Sequence, residues 1–139
     1  MRSPELADAL GATARYVGRS CFDYLVELDD EAAVRGGRPD FGRLRGCGAR
    51  GVIVTSRSAD AGVDFVSRYF APAFGIDEDP ATGSTHCCLG PFWNRRLQKQ
   101  TFLAHQVSER GGVLKVTVDG DRVRLGGQAV TVLRGELQA

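Results

Sequence analysis

With 139 residues, 42% of them hydrophobic, the chain is long enough for one globular unit with a buried core and too short for two ordinary ones. Eighteen Lys and Arg against 17 Asp and Glu leave a net charge of +1, and the arginines are dispersed, which argues against nucleic acid or an acidic membrane surface as the main partner. No run of 18 apolar residues occurs and no apolar segment of signal length follows Met1, so neither membrane insertion nor secretion is expected, and a cytoplasmic location is the default.

Residues 1–11 are polar and alanine-rich, with Pro4 and Gly11, and predict a short, loosely held helical lead before Arg15-Tyr16-Val17. Cys21 to Leu28 alternates apolar and polar positions as a strand does, Asp29-Asp30 turns the chain, and Glu31 to Val34 begins a short helix. Gly36 to Asp40 is a breaker cluster, and Phe41 to Leu44 forms another helical turn against the sheet. Val52 to Thr55 suits a buried strand; Val63 to Phe70 follows as a longer alternating one, after a turn at Ser58 to Gly62.

Thr82 or Gly83 opens a helix that runs to about Arg96, with Cys87, Cys88, Leu89, Phe92, Trp93 and Leu97 as its apolar positions. They cover much of its circumference, so an enclosed helix is expected, kinked or disturbed at Pro91. Beyond it lie strand-like runs at Phe102 to Val107, Val113 to Val118, Arg122 to Leu125 and Ala129 to Leu137, with Asp119-Gly120 as a hairpin signal. Strands before and after one central helix predict a single α+β unit over residues 1–139, without a linker to a second domain.

The junction Asp79-Pro80-Ala81-Thr82-Gly83-Ser84-Thr85-His86-Cys87-Cys88 joins a glycine-containing polar turn to that helix. The first-turn N–H groups of a helix lack partners inside it and, with the helix dipole, offer a seat for a carboxylate, enolate or phosphate. Asp79, held extended by the proline after it, and Ser84 are the candidate catalytic residues. An Asx turn and a helix N-cap are the ordinary structural roles for the same two side chains. Thr82, Gly83, Thr85 and His86 are candidates for anion binding, Gly83 because it permits close approach. His86 equally suits a buried hydrogen bond that orients the loop, and Asp77 and Glu78 suit solvated turn positions. Arg110, in the polar edge Gln106 to Gly112, is a candidate fork for a substrate carboxylate, or a salt-bridge partner within the lobe.

Cys21, Cys47, Cys87 and Cys88 show no Cys-x-x-Cys spacing, so no metal site is predicted and reduced thiols are expected. Cys87 and Cys88 read as small, soft side chains filling a tightly packed helix.

The segment Glu78-Asp79-Pro80-Ala81-Thr82-Gly83-Ser84 resembles the Glu-Asp-Pro-x-Thr-Gly-Ser motif of the phenazine-biosynthesis isomerase (PhzF-like) family. The flanks Gly51 to Thr55, Asp64 to Pro72, Pro91-Phe92-Trp93 and Gln106 to Gly112 resemble it too, and the likeness runs from about Ala12 to Leu137. It implies a diaminopimelate-epimerase-like lobe, a mixed, mostly antiparallel sheet curled around the central helix. It also implies a cofactor-independent proton transfer on a small carboxylate-bearing substrate. The resemblance reaches only the second half of a typical member. The first half supplies an acid/base glutamate and a Gly-His-Pro motif, and neither is recognisable here: the histidines are His86 and His105, and no Gly-His pair exists. A separate first-lobe chain or a homodimer is therefore the expected partner. The alternative is a non-catalytic lobe that binds a small anion or a partner protein as a homo-oligomer. A cysteine-dependent racemase, as in diaminopimelate epimerase, is disfavoured because Asp and Ser occupy the turn and both cysteines lie inside the helix.

Overall fold

Strand burial in the computed structural model, which describes residues 1–138, shows two separate packings on one sheet. Strands β1 (Ala14–Arg19), β2 (Asp23–Leu28), β3 (Gly51–Arg57), β4 (Phe65–Ala71), β5 (Ile76–Asp79), β6 (Thr101–Gln106), β7 (Gly112–Asp119) and β8 (Arg122–Gly126) form one sheet. Its order is β1-β2-β3-β4-β6-β7-β8, with β5 paired to β4. The pairings β2–β3 and β4–β6 are parallel and the others antiparallel.

The inner strands β3 and β4 are buried on both faces, which is why the sequence there is nearly continuous in apolar and β-branched residues rather than alternating. Val52, Val54, Val66 and Phe70 face one cluster, and Ile53, Phe65 and Tyr69 face the other. The first cluster is roofed by three short helices, α1 (Ser3–Leu10), α2 (Glu31–Gly36) and α3 (Phe41–Arg45). Asp30 and Asp40 cap the second and third by accepting from Ala33 N at 2.8 Å and Arg43 N at 3.0 Å.

The second cluster surrounds helix α4 (Gly83–Leu97), whose Leu89, Phe92 and Trp93 are buried against it. The sheet curls around this helix from both ends: Tyr16 on β1 meets Phe92 with ring centroids 5.5 Å apart, and Val123 on β8 closes over Gly90. A side chain at Gly90 would meet valine methyls of β7 and β8 at 3.2 to 3.4 Å, so the missing Cβ sets how closely helix and sheet approach. Trp93 donates its indole N–H to Thr55 Oγ1 at 3.1 Å, which satisfies the one polar atom of a fully buried ring.

The structure corrects several expectations. The N-terminal lead is docked rather than loose, because Leu6, Ala9 and Leu10 recur at helical spacing and bury into the first cluster. β5 was not anticipated, being four largely charged residues on the edge of β4. Residues 129–137 pair with no strand, and Val130, Val132, Leu133 and Leu137 are at least 84% exposed. Helix α4 runs through Pro91 to Leu97 without interruption. Its outer side is open: Cys87 is exposed and Cys88 half-buried, so Cys87 fills no packed space. Among the described residues no helix is long and apolar enough to cross a membrane.

Candidate functional site

Chemistry-bearing side chains collect where β5 ends and α4 begins. Thr82 is the N-cap of α4 by backbone conformation, yet its hydroxyl makes no capping bond. That hydroxyl instead donates to the Asp79 carboxylate. The first-turn N–H groups of Gly83, Ser84 and Thr85 therefore have neither an intrahelical acceptor nor a side-chain cap. Gly83 and Ser84 are exposed, so the positive end of a 15-residue helix opens to solvent through a glycine and a serine.

Gln106 fixes this geometry from below. Its side chain, 1% exposed at the end of β6, accepts from Thr82 N at 2.8 Å and donates to the Asp79 carbonyl at 2.7 Å and to Thr82 Oγ1 at 3.0 Å. One buried amide thus ties the last residue of β5 to the N-cap of α4. Ser108 adds a second tie by donating to the Pro80 carbonyl at 2.8 Å.

His86 is wholly buried and does not reach the surface of the mouth. Its Nδ1 lies 2.8 Å from the Thr82 carbonyl, which can only accept, so Nδ1 carries the proton and Nε2 is left as an acceptor. Burial lowers its pKa, with the Thr82 carbonyl pulling weakly the other way, so the ring stays neutral near pH 7. Thr85 is also buried, and its hydroxyl lacks a partner, so any contact it makes with a ligand at the surface is through its backbone.

Arg110 lies apart from Ser84, lining a surface depression of about 470 Å³ with Glu78, Pro80, Ser108 and Glu109. Glu78 is not a solvated turn residue: Arg68 grips its carboxylate at 2.8 Å through both Nε and Nη2 and also donates to the Gly37 carbonyl at 2.8 Å. The pair pins β5 to the neighbouring β4 strand and to the end of α2.

The charged partner of Ser84 is Arg50, which sequence reasoning missed. Arg50 Nη2 donates to Ser84 Oγ at 3.2 Å, while Nε and Nη2 grip the Asp23 carboxylate at 3.0 and 2.5 Å. Tyr69 donates its hydroxyl to the same carboxylate at 2.9 Å, and its ring lies across Gly51, where any side chain would collide with it at about 2.5 Å. Desolvation, then the bond to Asp23, pushes the Tyr69 hydroxyl up to about 12. The hydrogen bond that Arg50 donates to Asp23 raises its already high pKa. The available signal was Asp23 itself, an acid at an inward position of an apolar strand, which demands a buried partner. Burial raises the Cys88 thiol, so it is no thiolate at neutral pH. Among the described residues no three His, Cys, Asp or Glu side chains converge as metal ligands.

Comparison with known proteins places these residues in context. The family described as phenazine biosynthesis-like protein (PhzC-PhzF) matches residues 9–135. An uncharacterized isomerase of Halalkalibacterium halodurans is 55% identical over 133 residues, covering 96% of this chain and 50% of the relative. One from Pseudomonas aeruginosa is 49% identical over 134 residues, covering 96% and 51%. A PhzF-family protein of Enterococcus faecalis superposes with a TM-score of 0.86 at 41% identity, covering 91% of this chain and 48% of that one. A putative PhzC/PhzF protein of Clostridium difficile gives 0.85 at 34% identity, with 100% and 53% covered. The chain spans about half the length of the curated relatives it matches.

Proposed function

Because the chain belongs to the phenazine biosynthesis-like (PhzC-PhzF) family, we propose that it is the anion-holding lobe of a cofactor-independent isomerase with a diaminopimelate-epimerase-like fold. Its substrate is a small carboxylate-bearing molecule, and the reaction moves a proton between carbons. The observation that carries this reading is the diversion of the Thr82 hydroxyl from capping α4 to binding Asp79. That arrangement leaves first-turn amides free for a developing anion and holds a carboxylate beside them, as proton transfer with enolate stabilisation requires.

In this mechanism Asp79 accepts or returns the proton, and Thr82, oriented by Gln106, holds its carboxylate. Ser84 and the Gly83 and Ser84 amides bind the anionic oxygen. A second acid/base comes from a first lobe on a separate stretch of chain; a second copy of this chain closing over the mouth would restore the shape of the cleft but not that acid/base. Support for a covering partner comes from Phe22, 63% exposed, whose ring lies 5.0 Å from the Arg50 guanidinium. A non-catalytic anion-binding homo-oligomer uses the same mouth without the second acid/base.

Amide NMR titration of the chain with inorganic phosphate tests the reading. Saturable shifts at Gly83, Ser84 and Thr85, weakened by Ser84→Ala, are expected; an unresponsive helix start would overturn it. Light scattering over a range of concentrations then reports the partner, a dimer supporting a second copy and a monomer requiring a separate lobe.

A further inference from the structure

Asp23 is 1% exposed at the start of β2, where an unpaired carboxylate is costly, and the parallel register Asp23↔Gly51 brings Arg50 alongside it. The guanidinium presents its Nε and Nη2 side to Asp23, and Nη2 also reaches Ser84 Oγ. Among the described residues Nη1 has no hydrogen-bond partner, and the side chain is 35% exposed beside the open helix mouth. The Phe22 ring covers one face of the guanidinium and Tyr69 holds Asp23 from behind, so the planar group is fixed in direction rather than free to follow solvent. Since Ser84 Oγ accepts from Nη2, its own hydrogen is left to donate outward.

We propose that Arg50 is the specificity-determining residue of this site: its free Nη1 edge and the outward Ser84 hydroxyl together take one carboxylate of the substrate. This rests on the isomerase-lobe reading and adds to it the residue that selects a carboxylate over a neutral group. Asp23 and Tyr69 are positioning residues that act through Arg50. The selection follows from charge and direction together, because a cationic Nη1 donor of fixed direction and a hydroxyl donor beside a helix N-terminus favour a carboxylate and give a neutral amide little.

The test is amide NMR titration of the whole chain with acetate and with acetamide, its neutral isostere, following Gly83, Ser84 and Thr85. The wild type is expected to bind acetate and ignore acetamide. Arg50→Lys keeps the charge but loses the fixed Nη1 donor, and is expected to weaken acetate about tenfold, the loss of roughly one charge-assisted hydrogen bond. Arg50→Gln alone strands the buried Asp23 carboxylate, so the second variant is Asp23→Asn/Arg50→Gln, which removes both charges. It is expected to keep a folded spectrum and to lose the preference for acetate. If both variants bind acetate within about twofold of wild type, a change too small for one charge-assisted bond, Arg50 does not select the carboxylate. In that case, wild-type shifts at Gly83 to Thr85 would leave the lobe reading standing. A wild type that responds to neither acetate nor phosphate overturns both.

Discussion

The two faces of the sheet are packed by different rules. Under α1, α2 and α3 the buried cluster is aliphatic and aromatic, with Leu6, Val26, Val34, Leu44, Val54 and Phe70 at its centre. Around α4 the cluster is also apolar, but Asp23, Thr55, Ser67, Thr85, His86 and Gln106 are buried within or beside it. Buried polar groups cost stability unless each is paired. Asp23, His86 and Gln106 are paired with groups that lead to the helix mouth, Thr55 is paired with Trp93, and the Ser67 and Thr85 hydroxyls have no partner. One face is a floor that holds the sheet in shape, and the other is a scaffold whose buried polar atoms aim Asp79, Ser84 and Arg50.

That division can be broken by experiment. The largest effect is expected on the floor: Leu6→Ala should cost about 2–5 kcal/mol of stability through lost burial and a residual cavity. The phosphate response at Gly83 to Thr85 should stay unchanged, and a lost response would show that the floor also governs the site. Gln106→Leu leaves the Thr82 N–H and the Asp79 carbonyl unpaired and should cost about 1–3 kcal/mol in denaturant unfolding. Amide exchange at Thr82 should accelerate more than at Val54, which separates scaffold from floor.

A gentler probe uses pH. His86 has a lowered pKa when folded, so below its ordinary value of 6.5 the unfolded chain takes up a proton that the native chain refuses. Stability is therefore full above about pH 6.5 and falls as the pH drops toward the native pKa, with a slope approaching 1.4 kcal/mol per unit. Unfolding midpoints of wild type and His86→Asn between pH 5 and 8 should show that slope only in the wild type. The smallest effect is expected from Tyr69→Phe, about 0.5–1.5 kcal/mol for one hydrogen bond. Its partner measurement is ultraviolet titration of the three tyrosines, in which one phenol should ionise near pH 12 and vanish in the variant.

Local pattern made much of this legible. The short helices after Asp30 and Asp40, the run Val52 to Thr55, the hairpin at Asp119-Gly120 and the start of α4 at Thr82 and Gly83 all carry their cause within a few residues. The same local motif singled out Asp79 and Ser84, which lie at the end of β5 and in the first turn of α4. Arg50 was not, because its meaning depends on Asp23, 27 positions away, and on a parallel register that no local period encodes. Residues 129–137 failed for the opposite reason: their alternation suits a strand, but a strand forms only where an edge receives it. Cys87 was misplaced because counting apolar letters around a helix does not say which side the sheet leaves open.

The aromatic column inside the α4 scaffold supplies a built-in optical gauge. Trp93, the single tryptophan, stacks on Phe65 at 5.7 Å with planes 12° apart, and Phe65 stacks in turn on His86 at 6.2 Å. An imidazolium is a stronger quencher and a stronger field source than imidazole, and it sits one ring away from the only indole. Intrinsic emission is therefore expected to change as His86 takes up its proton, so that the charge of a buried group beside the helix mouth can be followed without any added label.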